Sequence, residues 1–380
     1  MTDYHFTKGI QGRDRETVFV KGIEGLFDAL HISDVQERAE GFLRSFSRHV
    51  FTIEARRTHA EKVVTKRWPG HMFGLYLDAL PHALARSDEQ QALKANNVAK
   101  SIIHETVNIG HSTGLDPQDV IPMLHQFASR FSSLCFDESW TRKSAGCSGI
   151  MIMTSTPEVG ERWTNAREID IVRTFLHVLK DLPHDPPRNV SDVIDNLTRV
   201  LRISHSFAAQ VLMQMEVDGP PSQNQPIQHK TPFLVAMFFN ELSSAHPVVR
   251  QAARTCIELL SELNGKTINE LLSPHRDRVL TSIYVKPLRA LPYPIVIGQL
   301  DAIRYCVSLD PPLPDLTDEL MRLLHETLAL ADVDDAQLGR QAARQTSIES
   351  VQLRVACIKL LTASMPLTDF YSRQHQTRQR

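Results

Sequence analysis

Apolar residues follow a helical spacing in the stretch from Ala245 to Leu263. They recur at alternating steps of four and three residues, at Val249, Ala253, Cys256, Leu260 and Leu263. This spacing aligns them on one face of an α-helix and leaves the charged residues on the other face. Pro247 suits the first turn of such a helix, where its missing N–H would have no partner. The pattern therefore predicts an amphipathic helix that begins near Pro247.

The same kind of segment occurs three times along the chain. It ends in CIELL at Cys256, in CVSL at Cys306 and in CIKLL at Cys357, with gaps of 50 and 51 residues. A fixed period of this size, filled with helical pattern, is typical of a solenoid built from repeated helical units. The sequence therefore predicts an all-α solenoid in which the three cysteines lie on equivalent apolar stripes.

Helical spacing also covers most of the chain before this region. The predicted helical stretches are 35–51, 73–85, 92–107, 117–135, 166–182 and 191–215, the last with a break near Ser204. The apolar stripe of the first stretch is Ala39, Phe42, Leu43, Phe46 and Val50. The segment 137–162 mixes Gly, Ser, Thr and Pro and is predicted to turn sharply. No alternating pattern longer than three or four residues indicates a β-strand.

Composition places the chain among folded proteins of ordinary charge. Hydrophobic residues make up 42% and charged residues 23%, and the formal net charge is −2, which gives no overall attraction to nucleic acid or membrane. No apolar run approaches the roughly 18–20 residues of a membrane span. The cysteine count of five is odd, and three of the five lie on helical stripes. This usage indicates buried free thiols in a reducing compartment, the cytosol or the nucleus.

Several short motifs resemble catalytic or metal sites but lack a required residue. The HRD triplet at His275 has Ser282 where a kinase loop needs its metal-binding Asn, so it is interpreted as the start of a helix. The GKT triplet at Gly265 has Leu260 in place of the first glycine of a P-loop, so it is interpreted as an inter-helix turn. Two HE pairs lack the second histidine of a zinc site. The sequence therefore predicts no catalytic, cofactor-binding or metal-binding residues.

Basic residues are concentrated between Arg48 and Arg67, and Trp68 follows them. A run of charge most often marks the solvated face of a helix. The functional alternative is a docking surface for an acidic partner, because such charge speeds encounter and helps to select partners. The candidate partner-binding residues are Arg56, Arg57, Lys62, Lys66, Arg67 and Trp68.

Several stretches carry a resemblance to a known family. The pattern Pro-x-Val-Arg-x-Ala-Ala from Pro247, followed by a Leu-rich stripe, resembles the second helix of a HEAT repeat. YVKPLRALPYPIVIGQLDAIRYCVSL from Tyr284 and DLTDELMRLLHETLALAD from Asp315 resemble the HEAT region of the TRRAP family. RDRETVFVKGIEGLFDALHISDVQERAEGFLRSFSRHVF and ESWTRKSAGCSGI upstream fit the same family, in the same order.

The resemblance implies an α-solenoid of HEAT-like repeats that has no enzymatic activity and needs no cofactor. The family consists of giant pseudokinase scaffolds of histone acetyltransferase complexes such as SAGA. We therefore expect a nuclear co-activator segment whose partners are transcription activators and other subunits of such a complex, with no direct contact to nucleic acid or membrane. Family members are far longer and carry FAT, pseudokinase and FATC regions, so we expect the chain to be a fragment or a partial gene model.

Two other classes remain open from the residues alone. HEAT-repeat proteins also serve as transport or trafficking adaptors, and a HEAT region can be the non-catalytic part of a larger active kinase.

HEAT repeats also often pair an Asp with the Arg that lies six positions after it in the second helix. Ser244 precedes Arg250 and Ile348 precedes Arg354 at that distance, so the sequence does not predict this Asp–Arg ladder.

The chain is predicted to divide into four parts. Residues 1–215 are an N-terminal HEAT-like helical block, and 216–230 (EVDGPPSQNQPIQHK) are a linker or inter-helix loop, because they contain three prolines, one glycine and few apolar residues. Residues 231–365 are three regular HEAT-like helix pairs, in which Pro247 starts one second helix and Thr317 caps a first helix. Residues 366–380 are a polar tail.

Overall fold

The computed structural model describes residues 12–60, 71–86, 88–112, 117–156, 160–182, 188–218, 230–332 and 347–378. The chain divides into two compact units, Met1–Gln214 and Met215–Arg380. Every element in the described ranges is a helix or a connecting turn, as the all-α prediction requires. No helix within these ranges is both long enough and apolar enough to cross a membrane.

The first unit is built from helices that pack in two alternating series. Its helices are α1 (Gly12–Ala29), α2 (Gln36–Ala60), α3 (His71–Leu84), α4 (Glu89–Ser112), α5 (Pro117–Leu134), α6 (Trp140–Ser155), α7 (Gly160–Asp181) and α8 (Arg188–Asp218). Helix α1 packs on α3 and α3 on α5, while α2 packs on α4 and α4 on α6. Stacking of first helices on first helices and of second helices on second helices is the arrangement of an α-solenoid.

An aromatic cluster forms the centre of the first unit. Phe51 of α2 lies edge-on to Phe73 and Tyr76 of α3 and to Phe127 of α5, with ring centroids 5.3 to 5.9 Å apart. The hydroxyl of Tyr76 is buried and shares a 2.6 Å hydrogen bond with Ser47. Each aromatic pair of this geometry adds about 1 kcal/mol beyond its buried area, so the cluster ties three helices together.

The second unit continues with shorter elements. Its helices are α9 (Thr231–Glu241), α10 (Pro247–Asn264), α11 (Ile268–Leu272), α12 (Arg276–Tyr284), α13 (Tyr293–Val307), α14 (Asp318–Ala331) and α15 (Ser347–Arg378), with 3-10 turns at Ser273–His275 and Leu288–Ala290. Helix α9 packs on α10 and α11, α12 on α14, α14 on α15, and α13 packs most extensively on α15. The second helices α13 and α15, which are one repeat apart, therefore lie side by side.

Local sequence signals account for several helix ends in this unit. Pro247 occupies the first turn of α10 as predicted, and the Thr317 side chain accepts a hydrogen bond from the N–H of Leu320 at the start of α14. Gly265 ends α10 in the left-handed conformation with φ of 60°, which favours glycine. Thr267 and Glu270 then form a reciprocal capping box that starts α11.

The segment 137–162 does not turn sharply as predicted. It contains α6, whose Ala145, Gly146, Cys147, Gly149 and Ile150 are all buried. A Cβ added to Gly149 would lie 2.1 Å from the Phe131 ring of α5, so the two helices approach more closely than any side chain would allow. Gly146 and Gly149, which lower the helix propensity of this segment, are therefore the residues that allow α6 to pack in the core.

Smaller differences concern three other stretches. Phe42 was placed on the buried stripe of α2 but is 57% exposed. The predicted break near Ser204 is absent, because α8 continues through it and Ser204 is buried against the Asn165 side chain, with a hydrogen bond of 2.8 Å. Helix α15 continues to Arg378 and so includes most of the segment 366–380 interpreted as a polar tail.

Candidate functional site

A polar cluster joins consecutive repeats of the second unit, and Asp301 of α13 lies at its centre. Arg250 of α10 donates from Nε to Oδ2 of Asp301 at 3.0 Å, and Arg254 of the same helix donates to the same oxygen. Arg304, one turn along α13, donates to Oδ1 from Nη2 at 2.8 Å and from Nε at 3.2 Å. One carboxylate therefore serves three guanidinium groups from two repeats.

The backbone completes this cluster at the position where a HEAT repeat often carries an aspartate. Arg250 donates from Nη1 to the carbonyl oxygens of Ser244 and Ala245, at 2.8 and 3.3 Å. Ser244 lies six positions before Arg250, so a main-chain oxygen replaces the carboxylate of the usual Asp–Arg pair. The carboxylate comes instead from the next repeat. The sequence offered one signal for this contact, the 51-residue distance between Arg250 and Asp301, which matches the repeat period.

The charges around Asp301 determine its protonation. Burial by itself would raise the pKa of this carboxyl group. The hydrogen bond from Arg304 and the positive charges of Arg254, Arg304 and Arg250 outweigh burial and lower the pKa below its ordinary value. Asp301 therefore stays ionised at neutral pH. The cluster links α10 and α13 of adjacent repeats.

Gly298 brings α13 into direct contact with the turn between α9 and α10. A Cβ at this position would lie 2.5 Å from the carbonyl oxygens of both Ser243 and Ser244. Only a residue without a side chain allows this approach. The close contact places Asp301, one turn further along α13, within reach of Arg250.

The three cysteines that define the repeat period lie in the core of the second unit. Cys256, Cys306 and Cys357 are fully buried and form no disulfide, as predicted from their apolar stripes. Burial raises the pKa of each thiol to about 12. Thiols in this state are neutral at physiological pH and act as small apolar core residues.

The remaining two cysteines, Cys135 and Cys147, lie close together. Their sulfur atoms are 4.0 Å apart, where α6 packs against the residues that follow α5. Both are buried and unbridged, and the hydrogen bond between them, followed by burial, raises the pKa of Cys147. Their proximity follows from the glycine-mediated packing of α6, which sequence spacing does not reveal.

The predicted basic surface is described only in part. Arg48 and Arg56 lie two turns apart on the exposed side of α2, with the 41% exposed Ile53 between them. Arg57 is half-buried and forms an ion pair with Glu54 at 2.7 Å, which differs from the solvent-facing position expected. The other four candidates, Lys62, Lys66, Arg67 and Trp68, lie outside the described residues.

Two motif interpretations of the second unit, a helix start at HRD and an inter-helix turn at GKT, are confirmed. Arg276 of the HRD triplet begins helix α12. Its side chain forms ion pairs with Asp277 and Asp315 at the edge of an open groove of about 490 Å³. Gly265 and Lys266 of the GKT triplet form the turn between α10 and α11. Across the described ranges, no group of three His, Cys, Asp or Glu side chains is placed to hold a metal ion.

Comparison with known proteins gives consistent matches over most of the chain. Residues 3–380 match the family described as the Tra1 HEAT repeat ring region. The chain is 28% identical over 381 residues to the SAGA complex/NuA4 acetyltransferase complex subunit TRA1 of Saccharomyces cerevisiae, covering 95% of this chain and 10% of that protein. It is 33% identical over 287 residues to the Schizosaccharomyces pombe subunit Tra1, covering 74% of this chain and 7% of that protein. The human transformation/transcription domain-associated protein is 22% identical over 295 residues, with coverages of 76% and 7%. The chain therefore spans about a tenth or less of the length of these relatives.

Proposed function

The chain belongs to the family of Tra1 HEAT repeat ring regions, and we propose that it is a non-enzymatic scaffold region of a transcription co-activator. The observation that carries this proposal is the similarity of 95% of the chain to a subunit named for the SAGA and NuA4 acetyltransferase complexes. In such a role the region acts in the nucleus and helps a histone acetyltransferase complex reach chromatin. Its partners are other subunits of that complex and transcription activators.

The fold supplies what a scaffold role needs. Stacked helix pairs expose long surfaces, and neighbouring pairs in the second unit are fixed in register by Asp301 and its three arginine partners. A protein partner that contacts two repeats at once therefore meets side chains in a fixed relative arrangement. This preorganisation lowers the entropic cost of binding.

The scaffold role is tested on the polypeptide that carries this sequence in its own cells. The polypeptide is tagged, purified under mild conditions and assayed for associated histone acetyltransferase activity. We expect activity to copurify, and imaging to place the tagged protein in the nucleus. Intact, folded polypeptide that carries no acetyltransferase activity above an untagged control would contradict the proposal.

We further propose that activators dock on the basic surface of α2 and the residues that follow it. Acidic activation domains are disordered and bind by charge-steered encounter followed by apolar contacts. Arg48 and Arg56 supply exposed positive charge, and Ile53 supplies an exposed apolar side chain between them. Further basic residues and one aromatic residue follow along the chain, at Lys62, Lys66, Arg67 and Trp68. Arg57 contributes less, because Glu54 balances its charge.

The docking proposal is tested with a charge-reversed variant. Arg56, Lys62, Lys66 and Arg67 are replaced together by Glu, and association of a synthetic acidic peptide with interspersed Leu and Phe is measured against ionic strength. We expect the association rate at low salt to fall about tenfold and its salt dependence to flatten.

A matched control separates the surface from net charge. Four exposed basic residues of the second unit, Lys266, Arg278, Lys286 and Arg289, are replaced by Glu, which changes the net charge equally. This control should retain at least half the original association rate. Circular dichroism confirms that both variants remain helical. Equal slowing in both variants, or unchanged rates in the first, would place activator binding elsewhere.

A further inference from the structure

An open groove lies between α5 and α7 in the first unit. It has a volume of about 440 Å³, and Ile150 of α6 also lines it. The α7 wall contains Trp163, Arg167, Ile171 and Thr174, which recur at steps of four and three and therefore share one side of the helix. The earlier first helices pack directly, α1 on α3 and α3 on α5, whereas a groove lies between the next two. The groove is therefore a gap in the stack that another molecule can enter.

Trp163 carries a hydrogen-bond donor that is not used. Its side chain is only 7% exposed, and within the described part of the chain its Nε1–H has no hydrogen-bond partner. An indole can donate a hydrogen bond but cannot accept one, and nearly all buried donors of folded proteins are satisfied. An acceptor on a bound molecule would satisfy this donor. The groove wall therefore favours a ligand that presents hydrogen-bond acceptors.

A second donor follows from a contact across the groove. Nη2 of Arg167 on α7 lies 3.1 Å from Nδ1 of His125 on α5. A guanidinium group only donates, so Nδ1 accepts and the imidazole proton is on Nε2. Burial, followed by the positive charge of Arg167, lowers the pKa of His125, so the ring is neutral at physiological pH. His125 therefore offers one further N–H donor and adds no charge.

The charges that line the groove balance. Arg167 and Asp170 both line it and are exposed, and their charges are opposite. Helix α5 adds uncharged polar groups, the hydroxyls of Ser129 and Ser132 and the amide of Gln126. Neither an acidic nor a basic ligand gains a net Coulomb attraction from this balance. The lining therefore favours an uncharged ligand.

The length of the groove favours an extended peptide. From Trp163 to Thr174 the α7 wall rises about 16 Å, at about 1.5 Å per residue. A polyproline II segment spans about 3.1 Å per residue, so about five residues fill this length. Such a segment has no internal hydrogen bonds and displays its carbonyl oxygens, and each proline lacks the N–H that would need an acceptor. These properties match an uncharged groove that is rich in donors.

We propose that the groove between α5 and α7 binds an uncharged, proline-rich segment of a partner protein in the polyproline II conformation. A small movement of the exposed Arg167 side chain, which follows Trp163 by one turn, gives a carbonyl oxygen of the segment access to the indole Nε1–H. His125 Nε2–H donates to a second carbonyl oxygen, and proline rings contact Ile150 and Ile171. The proposal goes beyond the scaffold role and does not depend on activator docking at α2.

The proposal is tested on the 380-residue chain with blocked peptides of about ten residues that repeat Pro-Pro-X, where X is Ala, Glu or Lys. Labelling tryptophan with ¹⁵N gives one indole N–H signal each for Trp68, Trp140 and Trp163, and the signal missing from Trp163→Phe identifies Trp163. We expect the Ala peptide to shift the Trp163 signal saturably and to leave the other two unchanged. Its affinity should change less than about twofold between about 50 and 300 mM salt, because the ligand is uncharged.

Two tyrosine variants form a matched pair on α5. Ser129→Tyr places a ring at the groove, whereas Ser133→Tyr places the same ring one turn further along, at an exposed position outside the groove lining. The first should lose at least tenfold in affinity for the Ala peptide, and the second should stay within about twofold. Trp163→Phe should lose about fivefold, because one hydrogen bond is removed. Circular dichroism checks that each variant is folded.

Several outcomes would overturn the proposal. One is the absence of a saturable shift of the Trp163 signal with the Ala peptide. Another is an equal loss of affinity in Ser129→Tyr and Ser133→Tyr, which would place the peptide outside the groove. Tenfold tighter binding of the Glu or the Lys peptide would assign a charged ligand. None of these outcomes bears on the scaffold role, which is tested by copurification of acetyltransferase activity.

Discussion

Asp301 joins two repeats of the second unit, because it contacts arginines that are distant from it in the sequence. Its two oxygens accept hydrogen bonds from Arg250, Arg254 and Arg304, and its side chain is only 19% exposed. A carboxylate in this position compensates positive charge that would otherwise repel across two helices. No carboxylate stands six residues before Arg250, because its carboxylate partner lies one repeat away in the chain.

Replacing Asp301 with Asn should destabilise the second unit by about 2 to 3 kcal/mol. The amide keeps the shape of the side chain but leaves three guanidinium groups without a counter-charge. The loss falls below the range for a fully buried ion pair because the site is partly solvated. Chemical denaturation measures it, with Asp332→Asn as a control on an exposed carboxylate that should change stability by less than about 0.5 kcal/mol. Equal effects of the two substitutions would contradict the role given to Asp301.

The same residue predicts how stability depends on acid. The pKa of Asp301 is lowered in the folded state, so its contribution is complete above the unfolded pKa of about 3.9. The contribution declines as pH falls from that value through the folded pKa, because the unfolded state then binds the proton more readily. Denaturation between about pH 5 and pH 2 should therefore show a steeper loss in the wild type than in Asp301→Asn. Parallel curves would exclude this residue as a cause.

The repeat-defining cysteines should resist modification. Cys256, Cys306 and Cys357 are buried, and their pKa values of about 12 leave almost no thiolate at pH 8. A thiol reagent should label them only after denaturant is added, with a burst of reactivity at the unfolding transition. Rapid labelling of all three in native buffer would disprove the buried register. The burial of these three cysteines was predictable from the sequence, because the apolar spacing and the repeat period both place them on the apolar stripe of a helix.

At the scale of elements, regular apolar spacing predicted the positions of helices well, whereas the glycine content of one segment led to a wrong prediction. Helix α10 begins at Pro247 as predicted, and Cys306 lies on a buried helical face of α13 as its repeat period predicted. Each of these helices has a proline in its first turn. Helix α6 was missed, because Gly146 and Gly149 lower intrinsic helix propensity. Packing against α5 overrides that propensity, and no single-sequence pattern reports which glycines face another helix.

Two glycines of the first unit should respond in opposite directions to alanine. Gly149→Ala should destabilise by about 1 to 3 kcal/mol, because the added methyl would overlap the Phe131 ring. Gly41→Ala in α2 meets nothing within 4 Å, so it should stabilise by about 0.5 to 1 kcal/mol through the higher helix propensity of alanine. Thermal denaturation of both variants provides the comparison. A stabilising Gly149→Ala would show that α6 and α5 are further apart than described.

At the scale of the whole molecule, the chain divides into two units near Gln214, each with its own core. Apolar spacing predicted the helix pairs of the second unit more closely than those of the first, because the repeat period is nearly constant there. In the first unit helix lengths vary and no fixed period guides the assignment. The exposed apolar side chains of α15 were not anticipated either, since a second apolar face reduces the contrast between apolar and polar positions on which helical spacing depends; they are Ile348, Val351, Val355, Ile358 and Met365.

The linker prediction for 216–230 remains to be tested, because residues 219–229 lie outside the described part of the chain. Its composition can bury little apolar surface, so limited proteolysis should cut there first and yield two helical products. Mass spectrometry locates the cut, and circular dichroism of the separated products checks their folding. A first cut within α10 would refute the division into these parts.

The contact at Gly298 has a consequence for how the protein can change over evolutionary time. Substitutions in a core often occur as compensating pairs, in which one side chain shrinks as another grows. The atoms that face Gly298 are the main-chain oxygens of Ser243 and Ser244, which every amino acid possesses. No replacement at either serine can make room for a larger residue at 298. We therefore expect glycine to be retained at position 298 whichever residues occupy positions 243 and 244.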